Sequence, residues 1–379
     1  MTIRYADLGT ERQLNQIVMA GSHDAGINKG LWHVKTQSLD IGGQAAAGVR
    51  IFDLRIAAEN TGTFGGSDSV KLKAYHGVGK KTEQTRTVKD IGTFGTVKEM
   101  KMRVPGLSGS FGDGLSRMLE QAGNFVTTNP TEFLILKFDK CSNWLAIAKT
   151  CVRVLNDTIY EGGGNLNTTK IGKLAGKVIV VFTPDGFDQV FKEGYGPGMG
   201  ILGVRRVDAE NPYKADYQGL QYCGKGGTKL KNVFGDKTKE NIETQSGYMR
   251  EGAAGDPNVM GMMYWTTTGL IQSIHSRNVG MWKGSKQDQL RELWEGGLSE
   301  SIQNRLGGNI NPADYSSGGL LKAFMPNFVM IDFAKEKRCK VIYDLNAVAA
   351  TQLSAAAGAA KAALAVKTGG GGRFVRGRR

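Results

Sequence analysis

Val49-Arg-Ile-Phe-Asp-Leu-Arg-Ile56 is an apolar run interrupted by three charged residues. Its near-continuous hydrophobicity predicts a strand buried on both faces, as parallel strands are. Side chains alternate along a strand, so Asp53 and Arg55 point the same way. Burying them is costly unless they have partners or a task. Seven further runs share the texture: Gln16–Ala20, Lys71–Tyr75, Glu132–Phe138, Lys177–Phe182, Ile201–Val207, Val259–Thr266 and Asn327–Phe333. Helical patterns lie between them. Leu115, Met118, Leu119, Ala122 and Phe125 recur at helical spacing before Pro130, and residues 144–159 and 287–306 form two more such segments. Eight strands alternating with helix-length segments predict an α/β fold, a distorted (β/α)8 barrel of TIM type. An open doubly wound sheet is the competitor, but no G-x-G-x-x-G follows the first run.

Composition agrees with a large core. Of 379 residues, 40% are hydrophobic and 22% charged, which excludes wholesale disorder. The chain has 54 glycines and 8 prolines without a G-X-Y repeat, so tight loops are expected instead of a collagen-like rod. Loops or insertions are expected at Glu59–Ser69, 80–109 and 211–257. The barrel is assigned to residues 1–344 and an Ala-rich helix to 345–366, either packed on the barrel or free to meet a partner. A flexible Gly/Arg-rich tail occupies 367–379. Cys141, Cys151, Cys223 and Cys339 form no CxxC pair, so they read as buried thiols and not as a zinc ribbon or redox motif. Residues 1–9 lack the apolar core of a secretory signal, and no run of about 18 apolar residues could span a membrane. The expected location is the cytoplasm, or outside the cell by signal-independent export, with peripheral action at membranes.

The formal net charge is +14. Segments 70–103 and 335–379 carry surpluses of six and eight, which is all of it. Such a field attracts polyanions. The partners expected are an anionic membrane surface through 70–103 and 367–379, and nucleic acid through the tail. The sequence fixes no oligomeric state.

Four histidines are present, two in telling places. His23 lies in Met19-Ala-Gly-Ser-His-Asp-Ala-Gly26 just past the first run, and His76 in Ala74-Tyr-His-Gly77 just past the third. Asp53 and Arg55 lie between them in the chain. Three consecutive strand ends would place this set on the C-terminal rim of a barrel, where catalytic groups collect. Two imidazoles suit a general base and a general acid. An arginine suits a phosphate, and carboxylates beside the histidines would set their tautomers. The chemistry this supports is phosphodiester cleavage without an obligatory metal. His33 and His275 read as surface or structural residues. Trp32, Trp265 and Trp282 are loop aromatics able to touch lipid, with Trp265 better suited to the core.

On these motifs the chain resembles the X-domain family of phosphatidylinositol-specific phospholipases C, a family of distorted (β/α)8 barrels. The matching pieces are GSHDAG (21–26), QAAAGVRIFDLRI (44–56), YHG (75–77), NPTEFLIL (129–136), MMYWTTTG (262–269) and MPNFVMIDF (325–333). The resemblance implies that His23 is the general base and His76 the general acid. It implies that Asp53 orients His76, that Asp332 orients His23, and that Asp24 helps position the phosphate. Arg55 stands where calcium-dependent members carry an acidic ligand and metal-independent bacterial members carry arginine. No metal or other cofactor is therefore expected, and the product would be a cyclic inositol phosphate. The sequence departs from the pattern at two points. A lysine expected after the fourth run falls on Asp139, leaving Lys140 as the substitute. An inositol-binding arginine is absent from the fifth, leaving Arg205 or Arg206 to compensate. Two other readings stand beside this one. One is a glycerophosphodiesterase or sphingomyelinase D-like enzyme, whose E-x-D metal pair would sit where Asp53-Leu54-Arg55 is. The other is a non-catalytic barrel serving as a membrane, nucleic-acid or assembly module.

Overall fold

A computed structural model describes residues 3–30, 34–64, 67–77, 83–91, 97–105, 109–224, 240–245, 247, 258–266, 279, 281–282, 290 and 326–347. The chain first lays down β1 (Met19–Ser22), a short helix α1 (Ile41–Ala46) and β2 (Val49–Leu54). An antiparallel excursion follows: β3 (Ile56–Phe64), β4 (Ser67–Gly77), β5 (Glu83–Ile91), β6 (Val97–Pro105) and β7 (Gly109–Gly114). Then come α2 (Leu115–Thr128), β8 (Leu134–Phe138), α3 (Trp144–Leu155), β9 (Val178–Phe182), α4 (Pro184–Phe191), β10 (Ile201–Arg206), β11 (Gly219–Cys223), β12 (Met260–Trp265) and β13 (Phe328–Ile331). Eight of these strands close a barrel in the order β1-β13-β12-β11-β10-β9-β8-β2, every pair parallel. The fold is the expected TIM-type barrel.

Two expectations are corrected. Lys71–Tyr75 is not a barrel strand but the end of β4, which pairs antiparallel with β3 and β7. Its polar–apolar alternation, Lys71 and Lys73 against Leu72 and Ala74, belongs to a sheet wet on one side. Conversely, 211–257 is not wholly an insertion, because it supplies the sixth barrel strand, β11. That strand is short, and Gln221 breaks its apolar texture. The Gln221 side chain points out of the barrel, where its Oε1 accepts from Arg205 Nη2 at 2.8 Å and from Lys214 N at 2.9 Å. Within the expected insertion at 80–109, β5 and β6 pair antiparallel.

Register fixes what fills the barrel. Asp53 pairs with Lys137, Lys137 with Val181, Arg206 with Tyr222, and Tyr264 with Met330, so these side chains share the interior face. The Gly21 position would place a Cβ 2.2 Å from Met330 Sδ, so only glycine lets these strands close so tightly. The opposite faces carry the outer core. Phe138 and Phe182 meet edge-on at 5.2 Å, and Trp144 of α3 packs on Phe182 at 5.1 Å. Trp265 is fully buried, as expected, and its indole N–H donates to Met281 O.

Residues 336–347 form a helix that spans the expected boundary at 344. Asn346 ties it to the barrel: its Oδ1 accepts from Val18 N at 2.8 Å and its Nδ2 donates to Val18 O at 2.9 Å. The rest of the Ala-rich segment, the 367–379 tail, His33, His275, Trp32 and all of 287–306 except Leu290 lie outside the described residues.

Candidate active site

The sequence Gly21-Ser-His-Asp-Ala-Gly26 carries the chain off the end of β1. Asp24 adopts a left-handed backbone (φ 43), a conformation aspartate tolerates better than most residues. The bend is held by backbone bonds from His23 N to Ile331 O (3.1 Å) and Ala25 N to Asp53 O (2.9 Å). Gly26 is required by close approach, since a Cβ there would lie 2.4 Å from that of Ala74. The turn therefore seats His23 and Asp24 between the ends of β13 and β2 and against β4.

Asp24 is the hub. Its Oδ2 accepts from His76 Nδ1 at 2.9 Å and lies 3.5 Å from His23 Nε2, while its Oδ1 lies 3.0 Å from Arg55 Nε. The arginine contact is a charge contact and not an aligned hydrogen bond. Asp332, wholly buried at the end of β13, meets His23 Nδ1 with Oδ1 at 2.9 Å. Each imidazole therefore has Nδ1 anchored to a carboxylate, which leaves Nε2 as the working nitrogen. The side chains of His23, His76 and Arg55 are 10%, 21% and 23% exposed, so the set is enclosed yet reachable.

Electrostatics follow from this packing. Burial would lower the His23 pKa, but the Asp24 and Asp332 carboxylates outweigh it and push it up to about 9. Burial would raise the Asp24 carboxyl. His23, Arg55 and His76 outweigh that effect and hold it far below the usual carboxylate range. Arg55 is held firmly charged by Asp24 and Asp53 against its own desolvation.

The structure brings together His23, Asp24, Arg55, His76 and Asp332 and reassigns the others. Asp53 does not orient His76; Asp24 does. Asp53 Oδ1 is instead paired with Lys137 Nζ at 2.7 Å, one step further down the barrel. Lys140 sits past the end of β8 with a left-handed backbone (φ 52) and an exposed side chain, so it does not serve as the inward lysine. Arg205 faces outward. Its guanidinium donates to Gln221 Oε1 at 2.8 Å and 3.1 Å and lies over the Tyr217 ring at 4.9 Å. Arg206, next along β10, has the inward register with Tyr222.

Sequence reading missed three contributors. Lys137 was signalled by being the lone charge in Leu134-Ile-Leu-Lys-Phe138. Tyr264 packs edge-on against the His23 ring at 5.7 Å, and no local signal distinguished it. Gln37 is fully buried; its Nε2 donates to His23 O (2.9 Å) and Ile331 O (3.1 Å), stitching β1 to β13 behind the site. Trp282 lies under the Arg338 guanidinium at 5.3 Å.

His23, Asp24 and Asp53 offer ligand atoms within 4.8 Å of one another, a spacing that could suit a metal ion. Two fixed cations already neutralise this group, Arg55 on Asp24 and Lys137 on Asp53.

No family model matches the chain, and no curated protein matches it. Solved structures do. The phosphatidylinositol-specific phospholipase C of Listeria monocytogenes aligns at 14% identity over 88% of this chain and 94% of that one, with a TM-score of 0.47. A mutant of the Staphylococcus aureus enzyme aligns at 14% identity over 89% and 95%, with a TM-score of 0.46. A calcium-dependent phospholipase C from a Pseudomonas species covers 55% and 71% at 14% identity, with a TM-score of 0.34. Likenesses this remote assign no residue role and no substrate to this chain.

Proposed function

We propose that the protein is a metal-independent phosphodiesterase of the phospholipase C kind. In this reading it cleaves a phosphodiester that carries a neighbouring hydroxyl and releases a cyclic phosphate. The observation that carries the reading is the hub itself. Two imidazoles and an arginine meet on one buried carboxylate, His76 through Nδ1 and His23 through Nε2 at 3.5 Å, while His23 Nδ1 is held by Asp332. A scaffold has no physical need of that set.

The proposed steps use these groups in turn. His23 Nε2 takes the proton from the substrate hydroxyl. The freed oxygen attacks phosphorus, and the bond to the leaving oxygen breaks. His76 Nε2 gives its proton to that oxygen, and the cyclic phosphate remains. Arg55 neutralises the charge growing on the phosphoryl oxygens. Asp332 stabilises the imidazolium formed on His23, and Asp24 keeps the Nδ1 proton of His76 in place. Inositol lipid is the substrate the motif resemblance suggests, and the basic segment 70–103 would draw the enzyme to an anionic bilayer.

The elevated pKa of His23 has a kinetic consequence. In the free protein at neutral pH His23 holds its proton, so the base form is the minor one. Because His23 must be neutral and His76 protonated, kcat/KM should be bell-shaped in pH, with the limb set by His23 near pH 9. A profile with no limb near pH 9 would remove His23 from the role of base.

The deciding experiment is phosphorus NMR of mixed phosphatidylinositol vesicles incubated with the protein in EDTA, with His23→Ala alongside. The expected result is a cyclic phosphate signal from the wild type alone, weakened when salt screens the vesicle surface. Loss of wild-type activity in EDTA would sink the metal-free mechanism. Intact lipid would move the search to other phosphodiester head groups, and intact substrates throughout would make the barrel a binding module.

A further inference from the structure

One layer below the histidines, Asp53 and Lys137 are register partners on adjacent strands, and both face the barrel interior. Their side chains are each 1% exposed and meet at 2.7 Å. Lys137 Nζ also reaches Asp139 Oδ2 at 3.3 Å. The rim and floor thus hold the carboxylates Asp24, Asp53, Asp139 and Asp332 around two permanent cations. Arg55 takes Asp24, and Lys137 takes Asp53 and Asp139. The proposed chemistry gives Lys137 no step. Yet a lysine buried in an apolar strand is costly, and this one lies on the single carboxylate that completes the cluster of His23, Asp24 and Asp53.

We infer that Lys137 is a built-in counter-cation, a positioning residue that holds Asp53 and Asp139 and thereby closes the His23–Asp24–Asp53 cluster to divalent ions. Its ammonium supplies, as part of the chain, the positive charge that these carboxylates would otherwise draw from solution. It also leaves Asp24 as the carboxylate in contact with Arg55. With Lys137 gone, Asp53 and Asp139 would compete for the Arg55 guanidinium and for any cation able to enter the mouth. The inference concerns ion occupancy and stands whatever the substrate is.

The test is tyrosine-sensitised terbium luminescence on the full chain, with calcium as competitor. The wild type should give no saturable site. Lys137→Met should give one that is at least tenfold tighter than any wild-type binding and is competed by calcium, and adding Asp53→Asn should remove it. Lys137→Arg, which keeps a cation there, should behave as the wild type does. Circular dichroism and a cooperative melt check that each variant is folded. Should Lys137→Met fail to fold, Lys137→Gln, with its shorter polar side chain, takes its place. A folded Lys137→Met or Lys137→Gln that binds terbium no better than the wild type would overturn the inference. So would a wild type that already binds as tightly, or a new site that survives Asp53→Asn.

Discussion

Replacing His76 or His23 by alanine should each lower kcat for phosphodiester cleavage by about 10²–10⁴-fold, the range general acid and base groups contribute. The double variant should lose little beyond the worse single one, because the two imidazoles act on one transition state and share one carboxylate oxygen. The fold should survive both changes. The backbone bend is tied by main-chain bonds and by Thr36 and Gln37, none of which uses either imidazole. Asp24→Asn is the informative companion. It removes the charge that Arg55 and both histidines lean on, so it should cost at least as much as either histidine and also lower the pKa of His23. Activity is to be read by release of cyclic phosphate, and the His23 pKa by imidazole proton NMR. Wild-type turnover in His76→Ala would remove His76 as the general acid.

The largest expected effect on stability lies at the opposite end of the barrel. Arg50, 1% exposed, donates to Glu132 Oε2 through Nε (2.9 Å) and Nη2 (2.6 Å) and to the carbonyls of Ile3, Ala45 and Val49. Its guanidinium lies 5.0 Å from both the Tyr5 and Phe125 rings. Glu132 in turn accepts from Tyr5 N and Ala6 N, each at 3.1 Å. Arg50→Met would strand a buried carboxylate, at a cost of about 3–5 kcal/mol. Denaturant midpoints should show that loss, while kcat measured well below the melting range stays near wild type. Adding Glu132→Leu should recover only part of the loss. It removes the stranded charge but leaves two backbone N–H groups without an acceptor. A loss under about 1 kcal/mol for Arg50→Met would mean that the pair does not plug this end of the barrel.

Seven barrel strands were legible because each is an apolar run buried on both faces, and that texture survives without tertiary information. The two errors have one cause. Lys71–Tyr75 and Gly219–Cys223 are similar in length, and local composition does not tell a one-sided antiparallel strand from a barrel strand whose outward residue is polar. Whether the Gln221 side chain faces water or meets Arg205 and Lys214 is a matter of tertiary contact.

The site divides in the same way. The sequence by itself marked the residues that meet at the candidate site: His23, Asp24, Arg55, His76 and Asp332 are charged or titratable groups placed where strands end, and that anomaly is written in one dimension. Only the tertiary structure decided who partners whom. Asp24 and Asp53 both precede His76 in the chain, but Asp24 sits on a left-handed turn aimed at β4, whereas Asp53 lies in register with Lys137 and is neutralised there. Pairing among buried charges is set by distances of about 3 Å between residues far apart in the chain, and strand register and loop direction, which fix those distances, exist only once the barrel is closed.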